Sequence, residues 1–179
     1  MRVIGIDPGT VCCGYGIVDV VEDRRQKTED RRQKLCGAGA LSYVTSGEIK
    51  ANKRDALAER LKLLYSRLKE IIDEYKPSHI AIEKVFFSKG IQSAFTLGSM
   101  RGVAMLLAAQ SSTPIFEYNS TELKQAVVGY GRAEKRQVKK MVRVILNIDS
   151  GQRLTEDSAD ALALCICHIN SSDRLKYLK

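Results

Sequence analysis

Four acidic residues of this chain stand where solubilising charge does not usually go. Asp7 closes the apolar run Arg2–Ile6 just before Pro8-Gly9, and Glu83 closes the run His79–Ile82. Asp157 and Asp160 lie three apart in TEDSADALALCICH, a spacing that puts both on one face of a helix. A carboxylate at the edge of a core is costly unless a cation or a donor meets it. Gathered in one volume, four such groups would raise one another's pKa until cations neutralised them. An all-oxygen donor set of this kind suits magnesium or manganese, which bind through a few carboxylates and accept phosphate oxygens. With two ions per site, one activates a water and the other stabilises the leaving oxygen of an in-line displacement at phosphorus. The plainer reading of the helical pair is that first-turn acids answer the helix dipole, with Thr155 as cap. That accounts for Glu156 and Asp157 better than for Asp160, which lies a turn further in and precedes a nearly uncharged run.

The partner of such acids is indicated by the opposite charge. The 179 residues carry a formal net charge of +8, and from Glu122 to Arg143 the bases Lys124, Arg132, Lys135, Arg136, Lys139, Lys140 and Arg143 face only Glu122 and Glu134. A basic stretch of this density points to a polyanion, and nucleic acid comes ahead of a membrane surface because no interfacial amphipathic helix accompanies it. Its plain alternative is a solvated helix face. Together, the acids and the basic stretch imply hydrolysis of a nucleic-acid phosphodiester. Ordinary apolar and charged fractions, no apolar run long enough to span a membrane and no signal-peptide pattern give the expectation of a cytoplasmic protein. Five cysteines at irregular spacing, Cys12-Cys13 and Cys165-x-Cys167 among them, read as buried reduced thiols rather than a disulfide or zinc framework. His168 beside Cys167 reads as packed rather than metal-ligating.

The elements that must position these residues are legible as changes of period. Arg2–Ile6, Gly14–Val20 and Leu41–Ile49 read as a three-stranded meander. Between its second and third strands EDRRQK occurs twice at a period of seven, with no apolar a and d positions. This reads as a tandem duplication enlarging a charged surface hairpin, residues 22–40. Arg54–Tyr75 carries Leu57, Leu61, Leu64, Leu68, Ile71, Ile72 and Tyr75 at helical spacing and stops at Lys76-Pro77. After His79–Glu83 come Phe86 and Phe87, a Ser88-Lys89-Gly90 loop, and a helix over Ile91–Gln110 rich enough in glycine and alanine to pack closely on a partner. Thr113–Tyr118 is a further strand, Asn119 or Ser120 caps a helix ending at Val128, and Gly129-Tyr130-Gly131 leads to the basic helix. A helix over Thr155–Asn170 closes one domain, residues 1–170, ahead of a polar tail, 171–179. The expected class is α/β, a mixed sheet of five strands with helices on both faces.

GIDPGT with GYG, then IEKVFF, LGSMRGVA, LKQAVVGYGRAEKRQV and DSADALALCICH, in that order from Met1 to about Ile169, resemble the RuvC family of Holliday-junction resolvases in the RNase H-like superfamily. The resemblance implies an RNase H-like fold and a structure-selective endonuclease that resolves four-way DNA junctions by paired symmetric nicks. It implies that Asp7, Glu83, Asp157 and Asp160 are the catalytic and metal-holding acids, with two Mg²⁺ per site and Mn²⁺ as substitute. It places Phe86 near the strand-exchange point as a stacking aromatic, and Lys124 and Lys135 on DNA phosphates; Arg132, Arg136 and Lys139, read from the charge of the basic stretch, are expected to contact DNA beside them. The implied partners are four-way junction DNA, a second copy of the chain and a branch-migration helicase complex of RuvA and RuvB. The chain departs from the family pattern in its longer hairpin and at Gly90-Ile91, where an asparagine and a small residue are usual. GIDPGT also looks like the phosphate-binding start of actin-like ATPases and sugar kinases, but those chains are longer and carry a second glycine-rich motif. The other alternative is a branched-DNA binding module that does not cut, which loss of acids would favour.

Overall fold

The computed structural model describes residues 1–21, 40–84 and 91–176. The duplicated charged segment with Cys36, the residues Phe86 and Phe87, the Ser88-Lys89-Gly90 loop and the last three residues lie outside the described residues. The described strands are β1 (Arg2–Asp7), β2 (Cys12–Val21), β3 (Ala40–Lys50), β4 (His79–Glu83) and β5 (Ile115–Tyr118). They form one mixed sheet in the order β3-β2-β1-β4-β5. The first three make the antiparallel meander, while β4 runs parallel to β1 and β5 parallel to β4. The helices are α1 (Leu57–Tyr75), α2 (Ile91–Gln110), α3 (Ser120–Val128), α4 (Lys135–Ile145) and α5 (Glu156–Lys176).

Period-two alternation divides the strands between two cores. Ile4, Ile6, Cys13, Ile17, Ile80 and Ile82 point to one face, where Leu64, Leu68 and Ile72 of α1 and Met100, Ala104, Leu107 and Ala108 of α2 cover them. Val3, Val18 and Ala81 point to the other, against α5, with α3 and α4 behind it. The helix α5 is therefore enclosed by the sheet on one side and by Leu123, Val127, Val138 and Val142 on the other. This is why Ala161–Cys167 is apolar all round rather than striped, and every residue of it is buried.

The sheet lets α5 come this close because it is bare beneath the helix. A Cβ on Gly5 would lie 1.9 Å from the carbonyl oxygen of Ala161, one on Gly14 would lie 2.2 Å from that of Asp157, and one on Gly16 would lie 2.6 Å from Cγ of Leu162. The glycines of the opening motif thus divide their work. Gly9, whose Cβ would meet the Cys12 carbonyl at 2.0 Å, serves the β1–β2 turn, whereas Gly5, Gly14 and Gly16 form a floor for α5 rather than a turn.

Several boundaries differ from the sequence expectation for local reasons. The first helix begins at Leu57, three residues after Arg54, because the Asn52 side chain accepts the Arg54 N–H at 3.0 Å and the Asn52 carbonyl accepts the Asp55 N–H at 3.1 Å, closing a turn first. β2 begins at Cys12 rather than Gly14, and β5 at Ile115, after Pro114, which has no N–H for the ladder. The last helix runs to Lys176, six residues past Asn170, with Ser171 and Ser172 donating back to the carbonyls of Cys167 and His168 at 2.8 and 2.9 Å. Cys13, Cys165 and Cys167 are buried and in no disulfide among the described residues, but Cys12 is only half-buried. His168 is packed, as expected, within a chain of hydrogen bonds. One ring nitrogen lies 2.8 Å from Nδ1 of His79, the other 2.7 Å from the Tyr118 hydroxyl, and Phe116 stacks on its ring at 4.4 Å.

Candidate active site

Register and alternation together carry Asp7 and Glu83 to one place. Ile6 of β1 stands beside Ile82 of β4, so the next residue of each strand is an acid at a neighbouring strand end. Two residues beyond Gly5 and Ala81, both acids point toward α5. Pro8 and Gly9 end β1 at this point, and the Lys84 N–H, bonded to the Tyr118 carbonyl at 2.8 Å, fixes the end of β4. The first turns of α5 come down over the same spot. Thr155 caps the helix, its hydroxyl accepting the Ser158 N–H at 3.3 Å while the Ser158 hydroxyl accepts the Thr155 N–H at 3.0 Å. Asp157 and Asp160 then face the strand ends.

Asp7, Glu83, Asp157 and Asp160 line one open cavity of about 370 Å³, together with Pro8, Gly9 and Cys12, and with Lys124 and Lys135 from α3 and α4. Burial, followed by the charges of Asp160, Glu83 and Asp157, pushes the Asp7 carboxyl up to about 7, with Lys135 opposing. Burial also raises Asp160, against the hydrogen bond and charge of Lys135. The Lys135 ammonium donates to Oδ2 of Asp160 at 3.0 Å. Burial pulls its pKa down and the Asp160 contact more than reverses this, leaving it raised. Two strand ends and one helix start therefore gather four acids around one cavity, with the Lys135 ammonium on Asp160, an electrostatic arrangement that a divalent cation would relieve. The donors are hard oxygens with one side open to solvent, and they fit a magnesium-class ion that keeps waters or takes phosphate oxygens.

A model of the family described as "Crossover junction endodeoxyribonuclease RuvC" matches residues 32–168. A protein of that name from Syntrophotalea carbinolica is 44% identical over 168 residues, covering 94% of this chain and 93% of its own. Another, from Caldanaerobacter subterraneus, is 40% identical over 178 residues, covering 99% and 98%. This chain belongs to the RuvC family. Among solved structures, Thermus thermophilus RuvC in complex with its Holliday junction substrate superposes with a TM-score of 0.81 at 27% identity, over 97% of this chain and 96% of that one. The fowlpox virus resolvase shares the fold at 13% identity and a TM-score of 0.54, over 94% of this chain and 99% of its own.

Within this RuvC family member the expected DNA-facing residues fall into separate groups. Lys124 and Lys135 stand in the cavity wall, and Lys135, though exposed, is paired there with Asp160. Arg132 and Arg136 are exposed, with Arg136 3.0 Å from Glu134, and Lys139 is half-buried. Phe86 lies outside the described residues. Arg143, counted with the basic face, is spent locally, because its guanidinium donates to the carbonyls of Asp149 and Gln152 and closes the loop before α5. Sequence reasoning missed Cys12 as a cavity residue by treating all the thiols as buried core. Its place two residues before Gly14, on the same face of β2 as the α5 floor, is the signal that finds it.

Proposed function

We propose that this chain is a divalent-metal-dependent endonuclease that resolves four-way DNA junctions, with Asp7, Glu83, Asp157 and Asp160 as its catalytic acids. The observation that carries this reading is the convergence of four carboxylates from two strand ends and one helix on a single open cavity, flanked by Lys124 and Lys135. Membership of a family of crossover junction endodeoxyribonucleases supports the reaction, and the likeness to a RuvC bound to a Holliday junction supports the substrate.

In this reading the four carboxylates hold the cations, Asp7 most deeply, and Asp157 is placed to hold an ion or orient the attacking water. Magnesium, two ions per site, is the proposed cofactor, with manganese as substitute. Bound there, it supplies a water of lowered pKa and neutralises charge on the leaving oxygen. Lys135 takes part of the cation's place at Asp160 when no ion is bound and is freed toward phosphate when one is. Lys124, Arg132, Arg136 and Lys139 track the DNA backbone and make binding salt-sensitive. Phe86 is proposed to stack at the strand exchange. Junction selectivity then rests on shape and deformability more than on base contacts.

Paired cuts require two sites, and an apolar strip on α2 that no described residue covers supports a homodimer. Phe95, 74% exposed, lies on a strip with Gly98, Gly102, Met105 and Leu106, and a Cβ on either glycine would meet nothing within 4 Å. A two-fold pair of identical subunits can address two symmetry-related strands of one junction. Family membership is the basis for proposing RuvA and RuvB as the branch-migration partners and the cytoplasm as the compartment. No described helix is long and apolar enough to cross a membrane.

The test is to incubate the protein with a four-way junction and with linear duplex, in magnesium and in chelator. Paired nicks on the junction, in magnesium only and absent with Asp7→Asn, are the expected result. Nicking by Asp7→Asn at the parent rate would remove the acids from the mechanism.

A further inference from the structure

Beside the four-acid cavity lies a second group of ligand atoms of different chemistry. Cys12 at the start of β2, Glu48 of β3 and Asp157 of α5 each offer one ligand atom, and the three atoms lie within 4.8 Å of one another. Their backbones are fixed independently. Glu48 stands opposite Gly14 in the β2–β3 register, Cys12 lies two residues before Gly14 on the same face, and Asp157 is held above Gly14 by the close approach of α5. All three are partly exposed, so an ion can reach them without unfolding, and Cys12 and Asp157 open into the same cavity as Asp7.

We propose that Cys12, Glu48 and Asp157 form a second divalent-cation site, softer than the four-acid cluster, which zinc-class ions occupy and through which they arrest cleavage. The inference rests on the reading of Asp157 as part of the nuclease centre. Magnesium avoids sulfur, whereas zinc and cadmium accept a thiolate with carboxylates, so the thiol sorts the ions between two adjoining sites. On binding, the Cys12 Sγ–H proton passes to buffer as the sulfur–metal bond forms, and the two carboxylates replace waters of the ion, which leave to solvent. One thiolate and two carboxylates around a dication leave one negative charge. Lys50, whose ammonium lies 3.1 Å from Glu48 on a side chain 66% exposed, is free to follow that charge. An ion held there engages the Asp157 carboxylate where it already lies, beside the Cys12 sulfur. The catalytic set then loses one ligand, with no need for the inhibitor to displace magnesium.

Cadmium ion alone is the probe. Its thiolate charge-transfer absorbance is expected to saturate at one ion per chain above any signal retained by Cys12→Ser. Glu48→Gln should weaken binding by about tenfold or more, as loss of a supporting ligand does, while Asp7→Asn should retain the band. In magnesium-supported junction cleavage, Cys12→Ser and Cys12→Ala should each need at least about tenfold more zinc ion than the parent for half inhibition, each normalised to its own uninhibited rate. A Cys12→Ser titration that overlays the parent's, loss of the band in Asp7→Asn, or equal zinc sensitivity of parent and both Cys12 variants would overturn the proposal. The cadmium band does not depend on cleavage, so it fails or stands apart from the nuclease reading, which the magnesium dependence of nicking and Asp7→Asn decide.

Discussion

The floor beneath α5 makes a sharp prediction, because the residue that tests it carries no side chain at all. In Gly14→Ala the new Cβ would start 2.2 Å from the carbonyl oxygen of Asp157 and 2.4 Å from its carbon. Ordinary contact needs roughly 1 Å more than this, and a close-packed interior cannot absorb it by compression. Gly14 is not among the residues with positive φ, so the cost is steric and not conformational. Overpacking of this size costs about 1–3 kcal/mol, within what a domain of this size survives. The easiest relief is for the first turn of α5 to lift, since the cavity lies open on that side while the rest of the helix is enclosed. Lifting it carries Asp157, and Asp160 with it, about 1 Å away from Asp7 and Glu83, a displacement that typically costs about 10²-fold in rate. The measurement is single-turnover cleavage of a four-way junction in saturating magnesium, with junction binding followed in chelator. We expect the rate to fall by about two orders of magnitude, binding to change by less than about threefold, and Tm to drop by about 2–12 °C. A variant that cleaves within about threefold of the parent would refute the claim that the glycine floor positions the acids.

In chelator, Asp7→Asn should be more stable than the parent at pH 8. A carboxyl raised to about 7 from its ordinary value near 3.8 binds its proton more tightly in the folded state, so stability falls as pH rises through that window. Relief of this penalty is worth roughly 2 kcal/mol once screening in an open site is allowed for, and equal Tm values in the two proteins at pH 8 would contradict it. His168 works in the opposite direction. Burial, then the neighbouring His79, lowers it from 6.5 to about 4, so its contribution is complete above pH 6.5 and is lost as pH falls toward 4. Between pH 8 and pH 5 the parent should lose about 2 kcal/mol more than His168→Gln in urea unfolding, and parallel pH profiles would remove the histidine from the account. Replacing Phe95 and Leu106 together with glutamate should yield monomers by sedimentation and convert paired nicks to single ones. A double variant that sediments as a dimer would exclude the α2 strip as the interface.

How much of this was legible in the sequence depends on the range of the interactions involved. Asp7 and Glu83 at strand ends, Asp157 and Asp160 on one helix face, the helix over Leu57–Tyr75 and the Asn119 cap are set by neighbours within a few residues, through alternation, helical period and breakers such as Pro8-Gly9 and Lys76-Pro77. The sheet order and the packing of α5 into its interior were decided elsewhere, because they depend on pairings between residues up to about 160 positions apart, such as the Cys165 thiol against the Val3 carbonyl at 3.5 Å. Only the tertiary structure, therefore, made Gly5, Gly14 and Gly16 a floor for α5, set Lys135 beside Asp160, and drew Arg143 into a loop. The sequence by itself determined which groups could do chemistry. Their meeting at one cavity was settled by close packing, where the absence of a single Cβ decides whether a helix and its two acids reach the sheet.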